Sequence, residues 1–418
     1  MLCHICRSWR DAALSTPRLW AELALELEYV SLRQHVGAGF LRKKLEILNF
    51  WASPSLHLIR QHSRITTDDA DKFASYLEFF ACEAIQNAKS LELYGFSALD
   101  FSVMSKYLNK IAFHNLETLS VGQPSGREDN ASSLQFPPTL ALRRLYFDFH
   151  MEYSRRPSVI ADKFSWRNIT HLSANMKLMR NDWYRILDHC TNLMFGSFRL
   201  EFLHPSPWAS PETNTRSPVV LGCFKQISVQ CPAADTTLVF EKFVFPHMTS
   251  LRLSQALSTF LTLQDIHCVL SSTPSLRELH LQSCLGFGNP DFLTQVPHPT
   301  LFGPLSTFTP NLSTLVIDSI KYNVPSSALP RDLLTLLHSD WLNRGWSSDN
   351  ERSLEFILDK GMHFSNSIIR DLTLEFNESG TLPFRVSSRH VKGGLFEWRP
   401  MNTSDLADRW HKLSKFQE

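Results

Sequence analysis

The sequence predicts an α/β fold in which a repeated unit adds one strand after another to a curved parallel sheet. The clearest copy is the segment 276–284, where Leu276, Leu279, Leu281 and Cys284 follow the pattern Leu-x-x-Leu-x-Leu-x-x-Cys. Looser copies recur at steps of 24 to 36 residues, a spacing suited to one strand and one return segment per repeat. A composition with 43% apolar and 20% charged residues among 418 supports a large folded core.

Each copy centres on two apolar residues separated by one residue, and this alternation predicts a short strand with one apolar face. The series consists of nine such pairs: Leu91/Leu93, Leu119/Val121, Leu145/Phe147, Leu172/Ala174, Gly196/Phe198, Ile227/Val229, Leu251/Leu253, Leu279/Leu281 and Leu315/Ile317. A further apolar residue precedes most pairs by three positions. This is the pattern of leucine-rich repeats, so residues 88–399 are predicted to form a degenerate leucine-rich-repeat-like solenoid with helices or irregular returns on its convex side.

The segments outside these repeats have patterns of their own. Apolar residues at helical spacing predict three helices, at 38–51, 69–87 and 331–341. Additional strands are predicted at 55–59, 354–358 and 382–386, whereas 367–376 fits either a strand or a helix and favours the helix.

Three stretches interrupt the repeats because they lack apolar periodicity, and they are predicted to be loops: 124–138, 204–218 and 286–310. Residues 26–87 are predicted to hold the connecting helices and the first strand. The polar segment 400–418 is predicted to be a terminal cap or tail, because the last repeat of an array must cover its apolar core.

At the N-terminus, apolar residues recur at helical spacing and predict a helix that stops before Pro17. The stretch from Leu2 to Trp20, with Cys6-Arg7-Ser8-Trp9-Arg10 followed by Thr16-Pro17-Arg18-Leu19-Trp20, resembles the second half of an F-box. It is most similar to F-box proteins of mushroom-forming fungi, which carry degenerate leucine-rich repeats. The opening half of the family motif, with its Leu-Pro-x-Glu, has no counterpart after Met1.

The resemblance implies that residues 1–25 form a partial F-box-like helical segment. It also implies that the chain is the substrate-recognition subunit of a cullin-RING (SCF-type) ubiquitin ligase. The residues that would contact the small adaptor subunit of that ligase are Leu2, Ile5, Cys6, Trp9, Leu19 and Trp20. Because the first half of the motif is missing, adaptor binding is expected to be weakened. The alternative is a protein-binding scaffold with no link to a ligase.

Polar residues that alternate with the strand leucines are predicted to face an open concave surface, where an unknown protein substrate would bind. Glu92 belongs to this set, and the predicted contact residues are Tyr94, Tyr146, Asp148, His171, Arg199, Arg252, Glu278, His280 and Asp318. Solvation of the sheet alone would explain the same polarity. The mixed signs of charge do not identify the partner.

Other classes of function find little support. The net charge of +1 gives no reason to expect a nucleic acid or a membrane as partner. Eight scattered cysteines suit an intracellular location, in the cytoplasm or the nucleus. Cys3 and Cys6 have the spacing of half a zinc site, but no second pair completes it, so we expect them to pack in a core. No nucleophile, phosphate-loop or metalloprotease motif occurs, and we expect neither a catalytic site nor a cofactor.

Overall fold

The computed structural model describes the helical residues Ser8, Asp11 and Ala12 and the ranges 22–27, 55–60, 86–94, 113–122, 139–148, 165–178, 180–202, 218–255, 263–282, 314–318, 354–359 and 384–389. The chain divides into two compact units between Leu193 and Met194. The predicted helices at 38–51, 331–341 and 367–376 and the predicted cap at 400–418 lie outside the described residues. So do the three predicted loops, apart from Pro218, and the predicted helix at 69–87, apart from its last two residues.

The first unit is a set of parallel strands that pair in the order in which they occur in the chain. Its strands are β1 (Glu22–Leu27), β2 (Ser55–Arg60), β3 (Ser90–Tyr94), β4 (Thr118–Gly122), β5 (Arg144–Asp148) and β6 (His171–Leu178). A 3-10 helix at Trp166–Asn168 precedes β6, and the helix α1 (Arg180–His189) follows it.

The second unit repeats this plan. Its parallel sheet consists of β7 (Phe195–Phe202), β9 (Gln226–Cys231), β11 (Ser250–Gln255), β12 (Glu278–Gln282), β13 (Thr314–Asp318), β14 (Leu354–Asp359) and β15 (Phe384–Arg389). Two short strands, β8 (Val219–Val220) and β10 (Phe243–Val244), pair separately and in parallel. The helices α2 (Ala233–Phe240) and α3 (Leu263–Ser271) lie between strands. The chain thus has an α/β architecture with mostly parallel strands and few helices in its described part.

The sequence prediction of the strands is largely confirmed. All nine apolar pairs lie in strands, and within each unit they pair in register, as Leu91 does with Leu119 and Leu251 with Leu279. The strands predicted at 55–59 and 354–358 are also present. The last predicted strand, 382–386, overlaps the observed strand, which spans Phe384–Arg389. The prediction missed β1, β8 and β10, and β1 crosses the boundary predicted at residue 25.

The structure adds one position to the repeated unit. Before six of the described strands, a buried residue stands three positions before the apolar residue that precedes the strand, and its carbonyl accepts a hydrogen bond from the N–H of that apolar residue. These pairs are Thr139/Leu142, Trp166/Ile169, Cys190/Leu193, Leu221/Phe224, Phe245/Met248 and Thr273/Leu276. Each of these repeats therefore enters its strand through a tight turn with buried residues at both ends.

Successive repeats are also joined by a carbonyl that accepts two hydrogen bonds. Glu117 and Thr118 both donate their N–H to the Lys89 carbonyl, at 2.7 and 3.0 Å, and Arg143 and Arg144 do the same to the Glu117 carbonyl. The arrangement recurs before β6, β9, β11 and β12. Because each backbone group is satisfied by the neighbouring repeat, an isolated repeat would leave these groups unpaired.

Gly196 occupies a position where most other repeats carry leucine, isoleucine or another large side chain. A Cβ atom placed there would lie 2.9 Å from Cζ of Phe198 and 3.0 Å from Cζ of Phe224. Both phenylalanine rings are buried. The Phe198 ring therefore fills the space that a leucine at residue 196 would take.

We expect Gly196→Ala to destabilise the protein by about 1–3 kcal/mol, because the added methyl group displaces packed rings. Urea unfolding of the full chain measures this. The control is Gly222→Ala, where a Cβ atom meets nothing within 4 Å. Equal midpoints for Gly196→Ala and the wild type would contradict the packing described above.

The helices of the second unit are fixed to the strands by polar contacts. Asp235, in the first turn of α2, is 1% exposed, and its Oδ2 accepts a hydrogen bond of 3.1 Å from the N–H of Phe202 at the end of β7. Thr237 donates its hydroxyl proton to Asp265, which joins α2 to α3. Beside them, the ring of Phe245 packs against Phe224 and Phe240 at centroid distances of 5.3 and 5.9 Å.

Candidate protein-binding surface

One residue stands between the two members of each apolar pair. Within each unit these residues form a row across the paired strands, which we call the middle row. In the first unit this middle row contains Glu92, Ser120, Tyr146 and Ser173, and in the second it contains Ser197, Ser228, Arg252 and His280. Neighbours in such a row are about 4.8 Å apart because they lie on adjacent strands. Each side chain is therefore flanked by others along the sheet.

The middle row does not form the open surface that the sequence predicted. Glu92 is 2% exposed, Arg252 5% and His280 6%, and Tyr146 is also buried. The prediction of an open position is thus wrong for Glu92, Tyr146, Arg252 and His280. Alternation along a strand decides which face a side chain occupies, but it does not decide whether that face is covered.

Residues on either side of the middle row are more accessible. Glu278 is exposed, and His171 and Arg199 are half-buried. The side chains of Tyr94, Asp148 and Asp318 lie outside the part of the chain that the structure describes. The same holds for the residues predicted to contact the adaptor: Leu2, Ile5, Cys6, Trp9, Leu19 and Trp20.

His171 is the predicted contact residue with the most unusual environment. Desolvation and, as the smaller cause, the positive charge of Arg144 on the neighbouring strand together lower its pKa from 6.5 to about 4. The Thr170 hydroxyl donates to the Arg143 carbonyl at 3.1 Å and lies 2.9 Å from Nδ1 of His171. Because that hydroxyl proton is used, Nδ1 of His171 is the nitrogen that donates to it. The folded protein thus holds this imidazole neutral.

This histidine should make stability depend on pH. Between pH 6.5 and about 4, the unfolded chain binds a proton at His171 that the folded chain does not bind, so the free energy of unfolding falls as the pH falls. We expect a contribution of about 1–2 kcal/mol, which allows for the partial exposure of the ring. His171→Gln should reduce the loss of stability between neutral pH and about pH 4.5, as measured by urea unfolding at each pH.

The matched control for that measurement is His189→Gln, at the exposed last residue of α1. An unchanged pH dependence in His171→Gln would show that folding does not shift the pKa of His171.

The described cysteines have the character of core residues. Cys190 and Cys231 are buried, and burial raises the pKa of both thiols, that of Cys231 to about 12. Cys268 is half-buried, and its pKa is raised to about 11, chiefly by desolvation. None of these three thiols is activated as a nucleophile at neutral pH.

Cys3 and Cys6 lie outside the described residues. Where side chains are described, no group of three or more His, Cys, Asp or Glu residues could hold a metal ion.

The structure has a second candidate surface, formed by exposed charged residues before the strands, which the sequence did not lead us to predict. Two positions before six of the nine apolar pairs stands a residue whose carbonyl accepts two hydrogen bonds, and in the first unit these residues are Lys89, Glu117 and Arg143. All three are exposed, as is Arg167 in the turn before β6. Their regular placement in the sequence could have indicated this surface, because a charged residue precedes each of the pairs at 91, 119 and 145 by two positions.

Comparison with protein-family models gives no match, and comparison with curated proteins gives none either. Among the helices that the structure describes, none has the length and apolar character needed to cross a bilayer.

Proposed function

We propose that this chain is a protein-recognition subunit built as a leucine-rich-repeat-like solenoid, and that it acts inside the cell as an F-box-like substrate receptor of a cullin-RING ubiquitin ligase. The observation that supports the recognition role is the repeated unit, with its turn, doubly accepting carbonyl and parallel strand, which recurs in both units. Arrays of this kind present long, continuous surfaces to protein partners. The ligase link rests on the resemblance of residues 2–20 to an F-box.

In this mechanism the chain is a bridge and has no catalytic group of its own. The N-terminal segment binds the adaptor, with Trp9 among its apolar contacts, and the repeats hold the substrate. Holding the substrate near the ligase raises its effective concentration at the site of ubiquitin transfer, which other subunits carry out.

The buried middle row narrows where a substrate can contact the sheet. Tyr146 and Arg252 are structural in the folded chain, so their removal would be expected to reduce stability as well as binding. We therefore assign substrate contact to the more accessible residues beside that row, with Arg199 and Glu278 as the best candidates in the second unit.

Calorimetry of the full chain against purified adaptor tests the ligase link. We expect measurable but weakened binding, which Trp9→Ala abolishes and Arg277→Ala leaves unchanged. Trp9 is the largest apolar residue of the predicted helix, whereas Arg277 is an exposed residue of the second unit. A chain that is folded by thermal melting but does not bind the adaptor contradicts the receptor role.

A protein-binding scaffold outside any ligase is the second candidate. It is favoured because the repeated unit covers much more of the chain: the strands that carry an apolar pair extend from β3 to β13, whereas the F-box resemblance covers residues 2–20 only. A partner captured by the wild type and lost in Arg199→Ala/Glu278→Ala, with no adaptor in the complex, would select the scaffold.

A further inference from the structure

One edge of the first unit carries a concentrated positive charge. We call it the basic turn strip, and it consists of Lys89, Glu117, Arg143, Arg144, Leu140 and Arg167. Lys89, Glu117 and Arg143 are neighbours in space, because the Glu117 N–H donates to the Lys89 carbonyl at 2.7 Å and the Arg143 N–H to the Glu117 carbonyl at 2.8 Å. The strip thus runs across consecutive strands at their amino-terminal ends.

The charge of this strip is unbalanced. It holds four cationic side chains, Lys89, Arg143, Arg144 and Arg167, against the single carboxylate of Glu117, whereas the whole chain has a net charge of only +1. Lys89, Arg143 and Arg167 are exposed, and Arg144 is half-buried. These four cations form no ion pair with any residue that the structure describes. The positive charge of Arg144 also acts on His171 of the neighbouring strand, where it lowers the pKa of the imidazole.

An exposed apolar residue lies in the turn that leads to Arg143. Leu140 is 77% exposed, although most large apolar side chains of the described repeats are buried. Its backbone is held in place, because its carbonyl accepts hydrogen bonds from Arg143 Nη1 at 2.9 Å and from Asn168 Nδ2 at 3.2 Å. The next turn is fixed in the same way, since Asn192 Nδ2 donates to the Arg167 carbonyl at 2.8 Å. Leu140 and Arg167 are thus presented from rigid turns at equivalent positions.

We propose that the basic turn strip binds an acidic segment of a partner protein, with one apolar side chain of that segment packed on Leu140. Carboxylates would pair with Lys89 and with the guanidinium groups of Arg143 and Arg167, whose planar forks suit bidentate pairing. The strip extends over about three strand spacings, or roughly 15 Å, which an extended peptide spans with about four to five residues. This inference does not depend on the ligase link.

A protein segment fits this surface better than a nucleic acid. Glu117 lies between Lys89 and Arg143, where its carboxylate would repel a continuous phosphate backbone. A peptide can place its carboxylates opposite the cations and a neutral residue opposite Glu117. Single-stranded nucleic acids are bound through aromatic side chains on which bases stack. The apolar residue of the strip is instead a leucine, which is aliphatic and offers no ring for a base to stack on.

Fluorescence anisotropy with the full chain tests the proposal. The probe is a fluorescein-labelled synthetic peptide with Glu and Asp residues on both sides of one Leu. We expect Lys89→Glu/Arg167→Glu to weaken its binding by about tenfold or more, because two attractive contacts become repulsive. The matched control is Lys225→Glu/Arg277→Glu, which changes the same charges at exposed pre-strand positions of the second unit. Binding to the wild type should weaken as salt rises from about 0.01 to 0.15 M, over which the Debye length falls from about 30 to about 8 Å.

The apolar contact is tested separately with Leu140→Ser, which should weaken binding by about tenfold. Val220→Ser, at an exposed valine of the second unit, is its control and should have no effect. A probe with Ser in place of Leu should bind the wild type and Leu140→Ser equally.

Three results would overturn the proposal. The first is an absence of peptide binding at low salt by the wild type. The second is an equal loss of affinity in the two charge-reversal pairs, which would show that only net charge matters. The third is tighter binding of a single-stranded oligonucleotide than of the peptide, lost in Lys89→Glu/Arg167→Glu, which would assign the strip to nucleic acid. Circular dichroism melts of each variant establish that the loss of binding is not a loss of fold.

Discussion

Replacing Leu279 with aspartate is expected to unfold the second unit, with a loss of about 4 kcal/mol or more in the free energy of unfolding. Leu279 is 2% exposed and pairs in register between Leu251 and Leu315 on adjacent strands. A carboxylate there would lose its hydration without gaining a partner on the apolar face. Thermal and urea unfolding of the full chain measure the effect.

The residues on either side of Leu279 provide the comparison. Glu278 is exposed, so Glu278→Gln should change stability by less than about 0.5 kcal/mol. His280 is buried, and we now expect His280→Asp to be destabilising as well, by about 1–3 kcal/mol. Alternation alone would place His280 with the tolerant residues. A neutral His280→Asp would mean that the middle row is open in solution, and a neutral Leu279→Asp would mean that the strand register is wrong.

Asp235→Ala should produce the second large effect, a loss of about 2–4 kcal/mol. The substitution removes the acceptor of the Phe202 N–H and leaves that buried donor without its hydrogen bond. It also removes an acidic residue from the first turn of α2, where it interacts favourably with the helix dipole. Asp235→Asn keeps a side-chain oxygen at the same distance and should recover part of the loss.

Glu241→Ala is the matched control, because Glu241 is an exposed carboxylic residue at the opposite end of α2. An acidic side chain near a helix C-terminus opposes the dipole, so this change should be neutral or slightly stabilising. Similar melting temperatures for Asp235→Ala and Glu241→Ala would show that the contact between α2 and β7 contributes little to stability.

The strands were predictable because the pattern that identifies a strand lies within a few consecutive residues. Apolar residues two positions apart identify the buried face, and the residue three positions earlier marks the entry to the strand, as Leu276 does for β12. The same alternation is present in β1, with Leu23, Leu25 and Leu27, and could have been recognised there. The short strands β8 and β10 could not, because two residues contain no period.

The buried residues that begin the turns before the strands were not predicted, for a different reason. Trp166, Cys190 and Phe245 occupy equivalent positions, yet Thr139 and Thr273 occupy them too. Residues that share a backbone hydrogen bond and a buried location need not share a chemical type, so sequence comparison between repeats does not align them. The place of Gly196 in the series depends likewise on the Phe198 ring, a contact that only the folded chain defines.

The sequence by itself determined which residues form the nine strands that carry an apolar pair, which face of each of these strands is apolar and the order in which they follow one another. These properties depend on neighbours within a few residues along the chain. Only the tertiary structure decided that Glu92, Arg252 and His280 are covered and that Leu140 stands exposed in the basic turn strip with Lys89, Arg143 and Arg167. Burial and charge density are set by residues that are distant in the chain and adjacent in space, so no local pattern contains them.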